Sequence, residues 1–180
     1  MKRGIGAAFI LLLCMGQVMA APPERIMSLT VCTDELLMDL APPSRIASIS
    51  YLSREKAALK LWPQAVTIPV NHNTAEEVLA QKPDLVLTLP YASTDMRGLL
   101  EKSGIRFLEV PQAGNFDQIR AVTRMVGDAI GERPRAEQLI ARMDATLREL
   151  ATDKPKQTIR VVGWGGGGFV PGGDTLFNAV

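Results

Sequence analysis

Four short apolar runs, Arg25 to Leu29, Ile46 to Ile49, Leu85 to Leu89 and Arg106 to Val110, alternate with segments of helical character, and this alternation constrains the chain more than any other feature. Each run is bounded by turn residues and has the length of a strand buried on both faces. Helices are predicted between them at about Asp34 to Leu40, Ala75 to Gln81 and Thr94 to Ser103. Strands separated by helices form βαβ units, and such units build a parallel sheet covered on both sides. The predicted class is therefore α/β.

The helix starts carry their own signals. Thr74-Ala75-Glu76-Glu77 is a capping box, in which Thr74 accepts from the Glu77 N–H and the Glu77 carboxylate reaches back toward the Thr74 N–H. Asn115-Phe116-Asp117-Gln118 repeats the device before a helix from Ile119 to Ile130 that stops at Gly131. Asp34 and Glu35 fall in a first turn, where the helix dipole favours negative charge. From Pro134 a longer helix runs to near Asp153, with Leu139, Ile140, Met143, Leu147 and Leu150 on one stripe. After the Lys154-Pro155-Lys156 break, Ile159 to Val162 is predicted as a strand, followed by the glycine-rich stretch from Gly163 to Phe169 and a helix start at about Asp174. A strand and a few helical residues cannot bury a core of their own, so residues 156–180 are expected to be only the beginning of a second unit.

Residues 1–20 are expected to form a secretory signal peptide. Lys2 and Arg3 precede an uncharged run from Gly4 to Gly16, and Val18 and Ala20 suit cleavage after Ala20. Those thirteen residues are too few to cross a hydrocarbon core of roughly 30 Å. Acylation at Cys14 is disfavoured by Leu13, which is not small. The remaining chain holds 18 basic and 19 acidic residues, because Lys2 and Arg3 leave with the signal. That balance argues against nucleic acid as a partner. It also leaves Cys32 as a single cysteine, so an exported form gains its stability from packing and not from an internal disulfide.

Several residues invite catalysis and are better read otherwise. Cys32 and His72 are a conceivable thiolate–imidazole pair, but no spacing brings them into contact, and one histidine cannot furnish a bare-ion site of three or four ligands. The glycine run lacks the Gly-Lys-Ser/Thr of a P-loop and the Gly-x-Gly-x-x-Gly of a dinucleotide site. No nucleophile elbow is present, which leaves a hydrolase or oxidoreductase as a poor alternative. In an open parallel sheet, ligands sit outside the carboxyl ends of the strands. Those ends are predicted at Thr30 to Thr33, Ser50 to Ser53, Asn71 to Asn73, Pro90 to Ser93 and Pro111 to Gly114, and they carry Cys32, Tyr51, Asn71, His72 and Tyr91. Together with Trp164 and Phe169 on the glycine-rich loop, such a rim suits a large, mostly apolar ligand with hydrogen-bonding edges.

Arg25-Ile26-Met27-Ser28-Leu29 with Cys32-Thr33-Asp34-Glu35-Leu36-Leu37, and Ala75 to Gln81 followed by Lys82-Pro83-Asp84-Leu85-Val86, resemble the first strand and helix and the most recognisable segment of the iron-siderophore and cobalamin family of periplasmic binding proteins. Ser103-Gly104-Ile105 and the long helix after Pro134 follow in that family's order. The resemblance implies two α/β lobes joined by one stiff helix. Residues 21–131 would form a Rossmann-like N-terminal lobe, 132–155 the bridge, and 156–180 the opening of a truncated second lobe.

It further implies a periplasmic, monomeric, non-enzymatic protein that takes a metal chelate to an ABC transporter permease in the inner membrane. It needs no cofactor of its own, since cobalt or iron comes with the ligand. Glu76 matches a glutamate that docks against permease arginines in the cobalamin-binding member, and Tyr51 and Phe169 match aromatics that contact its corrin ring. Val70, and Leu89 or Pro90, stand where that member has ligand-contacting tryptophans, so cobalamin and a ferric siderophore both stay open. Haem is a further alternative, with His72 near the position of a ligating tyrosine. A short product that binds nothing is another.

Overall fold

The computed structural model describes residues 21–55, 62–90, 94–152, 161–165, 167, 170–173 and 175–178. The expected signal peptide, Tyr91 and Phe169 lie outside these residues, as do Ile159, Arg160 and Asp174.

Five strands form one parallel sheet: β1 (Ile26–Ser28), β2 (Ile46–Ser50), β3 (Val70–Asn71), β4 (Leu85–Thr88) and β5 (Arg106–Glu109), in spatial order β3-β2-β1-β4-β5. β1 and β4 are buried on both faces, as their unbroken apolar runs require. The helices divide between the faces. α1 (Val31–Leu40), α4 (Phe116–Ile130) and the start of α5 (Arg133–Thr152) enclose one core around Ile26, Leu37, Ile49, Leu87, Val126 and Ile130. α2 (Ala75–Gln81) and α3 (Thr94–Lys102) cover the other, around Met27, Leu29, Val78, Val86 and Leu100.

The structure corrects four boundaries. β3 is missing from the four predicted runs, although Asn71 to Asn73 is expected as a strand end, because two residues between Pro69 and His72 give no periodicity to detect. α1 begins at Val31, so Cys32 sits in a first helical turn and not in a strand-end loop. Val161 and Val162 are exposed and pair with no strand among the described residues, and a β-strand exists only where a partner supplies its ladder. Near the expected C-terminal helix start, residues Leu176–Asn178 form a single 3-10 turn.

The Lys-Pro-Asp segment has a structural reason. Lys82 closes α2 in the left-handed region, at φ 47°, and turns the chain into β4. The Asp84 carboxylate then accepts from the backbone N–H groups of Glu24 and Arg25 at 2.7 and 3.1 Å, and the Asp84 N–H donates to the Arg25 carbonyl at 3.0 Å. Two strands distant in sequence are thereby started in register.

α4 ends at Gly131, whose φ of 74° suits glycine, and α5 departs almost at once. The two helices pack so closely that a Cβ on Gly127 would lie 2.6 Å from that of Ala136. Arg120 bonds Asp144, while Arg124 and Arg133 share Glu137, which lowers the Glu137 pKa to about 2. Ala136 and Ile140 are buried, but Leu150 is 64% exposed, so among the described residues the predicted apolar stripe is covered only along its first half.

Candidate functional site

The strand order reverses direction between β1 and β4: β2 and β3 lie on one side of β1, and β4 and β5 on the other. The loops leaving β1 and β4 therefore diverge to form a crevice at the carboxyl edge. A cleft of about 730 Å³ lies there, walled by Cys32 and Leu36 of α1, Leu89 and Pro90 after β4, and residues 110–114 after β5. Gln118, Ile119, Val122 and Thr123 of α4 line it further, Thr175 and Leu176 near the C-terminus close it, and among the described residues no charged side chain lines it. Gln118 serves twice. Its N–H donates to Asn115 Oδ1 at 2.9 Å to cap α4, and its Oε1 accepts from the Gly114 N–H at 2.6 Å. A smaller groove of about 240 Å³, with Trp62, Leu139 and Met143 in its wall and Glu35 and Asp39 beside them, adjoins the cleft through Cys32 and Leu36.

On the other side of β1, Tyr51 and His72 stack, with ring centroids 5.0 Å apart and planes at 26°. Tyr51 opens the 3-10 turn Tyr51–Arg54 that follows β2, and His72 directly follows β3. Glu77 holds the histidine: the His72 N–H donates to Oε2 at 2.7 Å, and Nδ1 lies 3.0 Å from Oε1. The Thr74 hydroxyl accepts from the Glu77 N–H at 3.3 Å, which is the first half of the predicted capping box, and donates to Glu77 Oε2 at 3.1 Å, the oxygen that also takes the His72 N–H. Those contacts, His72 ring and backbone first, hold the Glu77 carboxyl down at about 2. In a neutral ring, an ionised carboxylate against Nδ1 favours the tautomer with its proton on that nitrogen.

Beneath the pair lies a fully buried polar layer. Asn71 donates through Nδ2 to the Ser28 carbonyl at 2.9 Å and the Ser48 hydroxyl at 3.1 Å, and its Oδ1 accepts from the Asn73 N–H at 3.1 Å. Both ends of the amide are occupied. Asn71, expected to face a ligand, instead ties β3 to β1 and β2. Asp34, on α1, is equally enclosed. Its Oδ2 accepts from the Ser50 N–H at 3.0 Å and the Ser53 hydroxyl at 2.7 Å, while Oδ1 has no hydrogen-bond partner. Burial raises its pKa from 3.8 to about 7, against the opposing pull of Ser28, Ser53 and the Ser50 N–H.

The structure thus brings Tyr51 and His72 together at one part of the edge and places Cys32 in the cleft at another. Burial, followed by the Glu35 charge, raises the Cys32 thiol pKa, which is the reverse of what a thiolate nucleophile needs. Trp164 is 76% exposed. Glu76 is exposed on the first turn of α2 and belongs to none of the ion pairs among the described residues. Among those residues no three or more His, Cys, Asp or Glu side chains are grouped to hold a metal ion. Sequence reasoning missed Leu36, Thr123 and Asp34. Thr123 shares a face with Ile119 and Val122 at helical spacing, a signal that was available. In the sequence Asp34 reads only as a first-turn acid, and nothing local marks its partners, which lie 16 and 19 positions away.

The sequence profile of the family described as periplasmic binding protein matches residues 26–180. An uncharacterized ABC transporter substrate-binding lipoprotein of Bacillus subtilis, YvrC, is 28% identical over 131 residues, which is 71% of this chain and 41% of that protein. A possible iron-binding periplasmic solute-binding protein of Staphylococcus epidermidis superposes with a TM-score of 0.71 at 19% identity, over 88% of this chain and 64% of that one. The periplasmic vitamin B12 binding protein BtuF of Vibrio cholerae does so with a TM-score of 0.56 at 21% identity, over 73% and 51%. At such identities the superpositions speak for the fold. The chain spans about two fifths of the Bacillus relative and up to 64% of these two solved chains.

Proposed function

The chain belongs to the periplasmic binding protein family, and from that premise we propose that it forms the ligand-capturing N-terminal lobe of an exported substrate-binding component of an ABC importer. Its ligand is a metal chelate, cobalamin or a ferric siderophore. The observation that carries this reading is the uncharged, largely apolar cleft at the topological switch point, edged by the amides of Gln112 and Gln118. Such a site desolvates a bulky neutral face and satisfies a few polar edges, and it offers nothing to a phosphate or a bare cation. Tyr51 and His72 extend the same edge with aromatic surface. α5, with its outer half uncovered, supplies the bridge to an opposing lobe, and Glu76 is the residue that pairs with basic groups of a permease.

One observation favours haem as a second reading. His72 is held at Nδ1 by a carboxylate and keeps Nε2 free on an exposed ring, the arrangement that orients metal-ligating histidines.

Titration of the protein with cyanocobalamin, a ferric hydroxamate siderophore and hemin, followed by the visible spectrum of each chelate and by tryptophan fluorescence, tests both readings. A response to cyanocobalamin or the siderophore alone supports the first. A hemin spectrum that shifts with the wild type and not with His72→Ala supports the second. No response to any of the three defeats both.

A further inference from the structure

The Tyr51–His72 pair is held from two sides. Glu77 grips His72. Among the described residues Tyr51 has no side-chain tie of that kind, and its position follows from the turn that carries it. That turn is bracketed by Ser50 and Ser53, and both donate to the same atom, Asp34 Oδ2. The Ser50 hydroxyl in turn accepts from the Leu52 N–H at 3.3 Å, and Arg54 secures the far end on the Ile68 carbonyl at 2.6 Å. Asp34 reaches this turn from α1, the helix that also walls the cleft.

We infer that Asp34 is a positioning residue for the ligand-facing aromatic pair, acting through Ser50 and Ser53 to seat Tyr51 on His72. With both donors on Oδ2, Oδ1 is the place where a proton is carried without loss of either bond. The latch therefore needs an acceptor at Oδ2 and does not need the charge. The inference rests on the proposed reading only in taking the Tyr51–His72 surface to face the ligand.

The chain contains a single histidine, so the His72 ring protons are assigned in a proton NMR spectrum without further labelling. Stacking on Tyr51 displaces them upfield, and Tyr51→Ala gives the unstacked position. Asp34→Asn, whose amide oxygen replaces Oδ2, should keep the wild-type displacement. Asp34→Ala should lose most of it while the dispersed core methyl signals persist. If Asp34→Ala fails to fold, Ser53→Ala decides: it removes one of the two bonds without opening the interior and should reduce the displacement. Wild-type His72 signals in a folded Asp34→Ala, or in Ser53→Ala should Asp34→Ala not fold, would overturn the inference, as would loss of the displacement in a folded Asp34→Asn. No ligand enters this experiment, so its failure leaves the ligand reading standing, and failure of ligand capture leaves this result standing.

Discussion

Replacing Asp34 by asparagine should change how the stability of this lobe depends on pH. The carboxyl is fully enclosed, and its pKa lies at about 7 in place of 3.8, chiefly through burial, with the Glu35 charge adding to the rise. A carboxyl whose folded pKa exceeds its unfolded value binds its proton more tightly in the native state. Its contribution is complete below about 3.8 and is lost as pH climbs to about 7. Between about pH 5 and about pH 8 the loss covers roughly two pH units, and at 1.36 kcal/mol per unit this is at most about 3 kcal/mol. At about 2–4 °C per kcal/mol for a chain of this size, the wild-type melting temperature should fall about 6–12 °C further than that of the variant over the same interval. Glu77 and Glu137, both with pKa about 2, stay ionised throughout that interval and cannot imitate the effect. Melting curves by circular dichroism at three or four pH values suffice as the assay. Parallel pH profiles for wild type and Asp34→Asn would refute the argument that a buried carboxylate charge is carried here at a cost.

Gly127→Ala should destabilise by about 1–3 kcal/mol, because its Cβ would meet that of Ala136 at 2.6 Å; an unchanged urea midpoint would contradict the close α4–α5 contact. Arg45→Met should cost about 2–4 kcal/mol in the same assay, since the guanidinium serves the Pro23 and Ile130 carbonyls and Glu132 together and its loss leaves them unpaired. Cys32 is exposed in the cleft, so a bound chelate should slow its alkylation severalfold, measured by mass spectrometry with Cys32→Ser as control. Equal rates with and without a chelate whose binding is independently seen would move the ligand away from the cleft.

The βαβ order, the N-caps at Thr74 and Asn115 and the extent of the long helix are legible in the sequence because each is a local matter. Strand-length apolar runs, a threonine or asparagine three residues before its glutamate or glutamine, and a glycine at a helix end act on their own neighbours in the chain. The carboxyl-edge rule then carried the candidate site as far as Tyr51 and His72, which do meet, and Cys32, which lines the cleft. It failed at Asn71, because alternation along two residues of β3 gives no warning that the side chain points into the sheet layer. The reading of apolar runs as strands fell short at Val161 and Val162, which find no ladder partner among the described residues.

What the sequence determined by itself was the sequence of elements and hence the α/β class, since helix and strand periodicity are set within a few residues. What only the tertiary structure decided was the strand order β3-β2-β1-β4-β5, the cleft that its reversal opens, and the convergence of Asp34, Ser50 and Ser53 beneath Tyr51. Those depend on which distant segments share a buried layer. There, the cost of leaving a polar group unpaired selects partners by position in space, and separation along the chain carries no record of it.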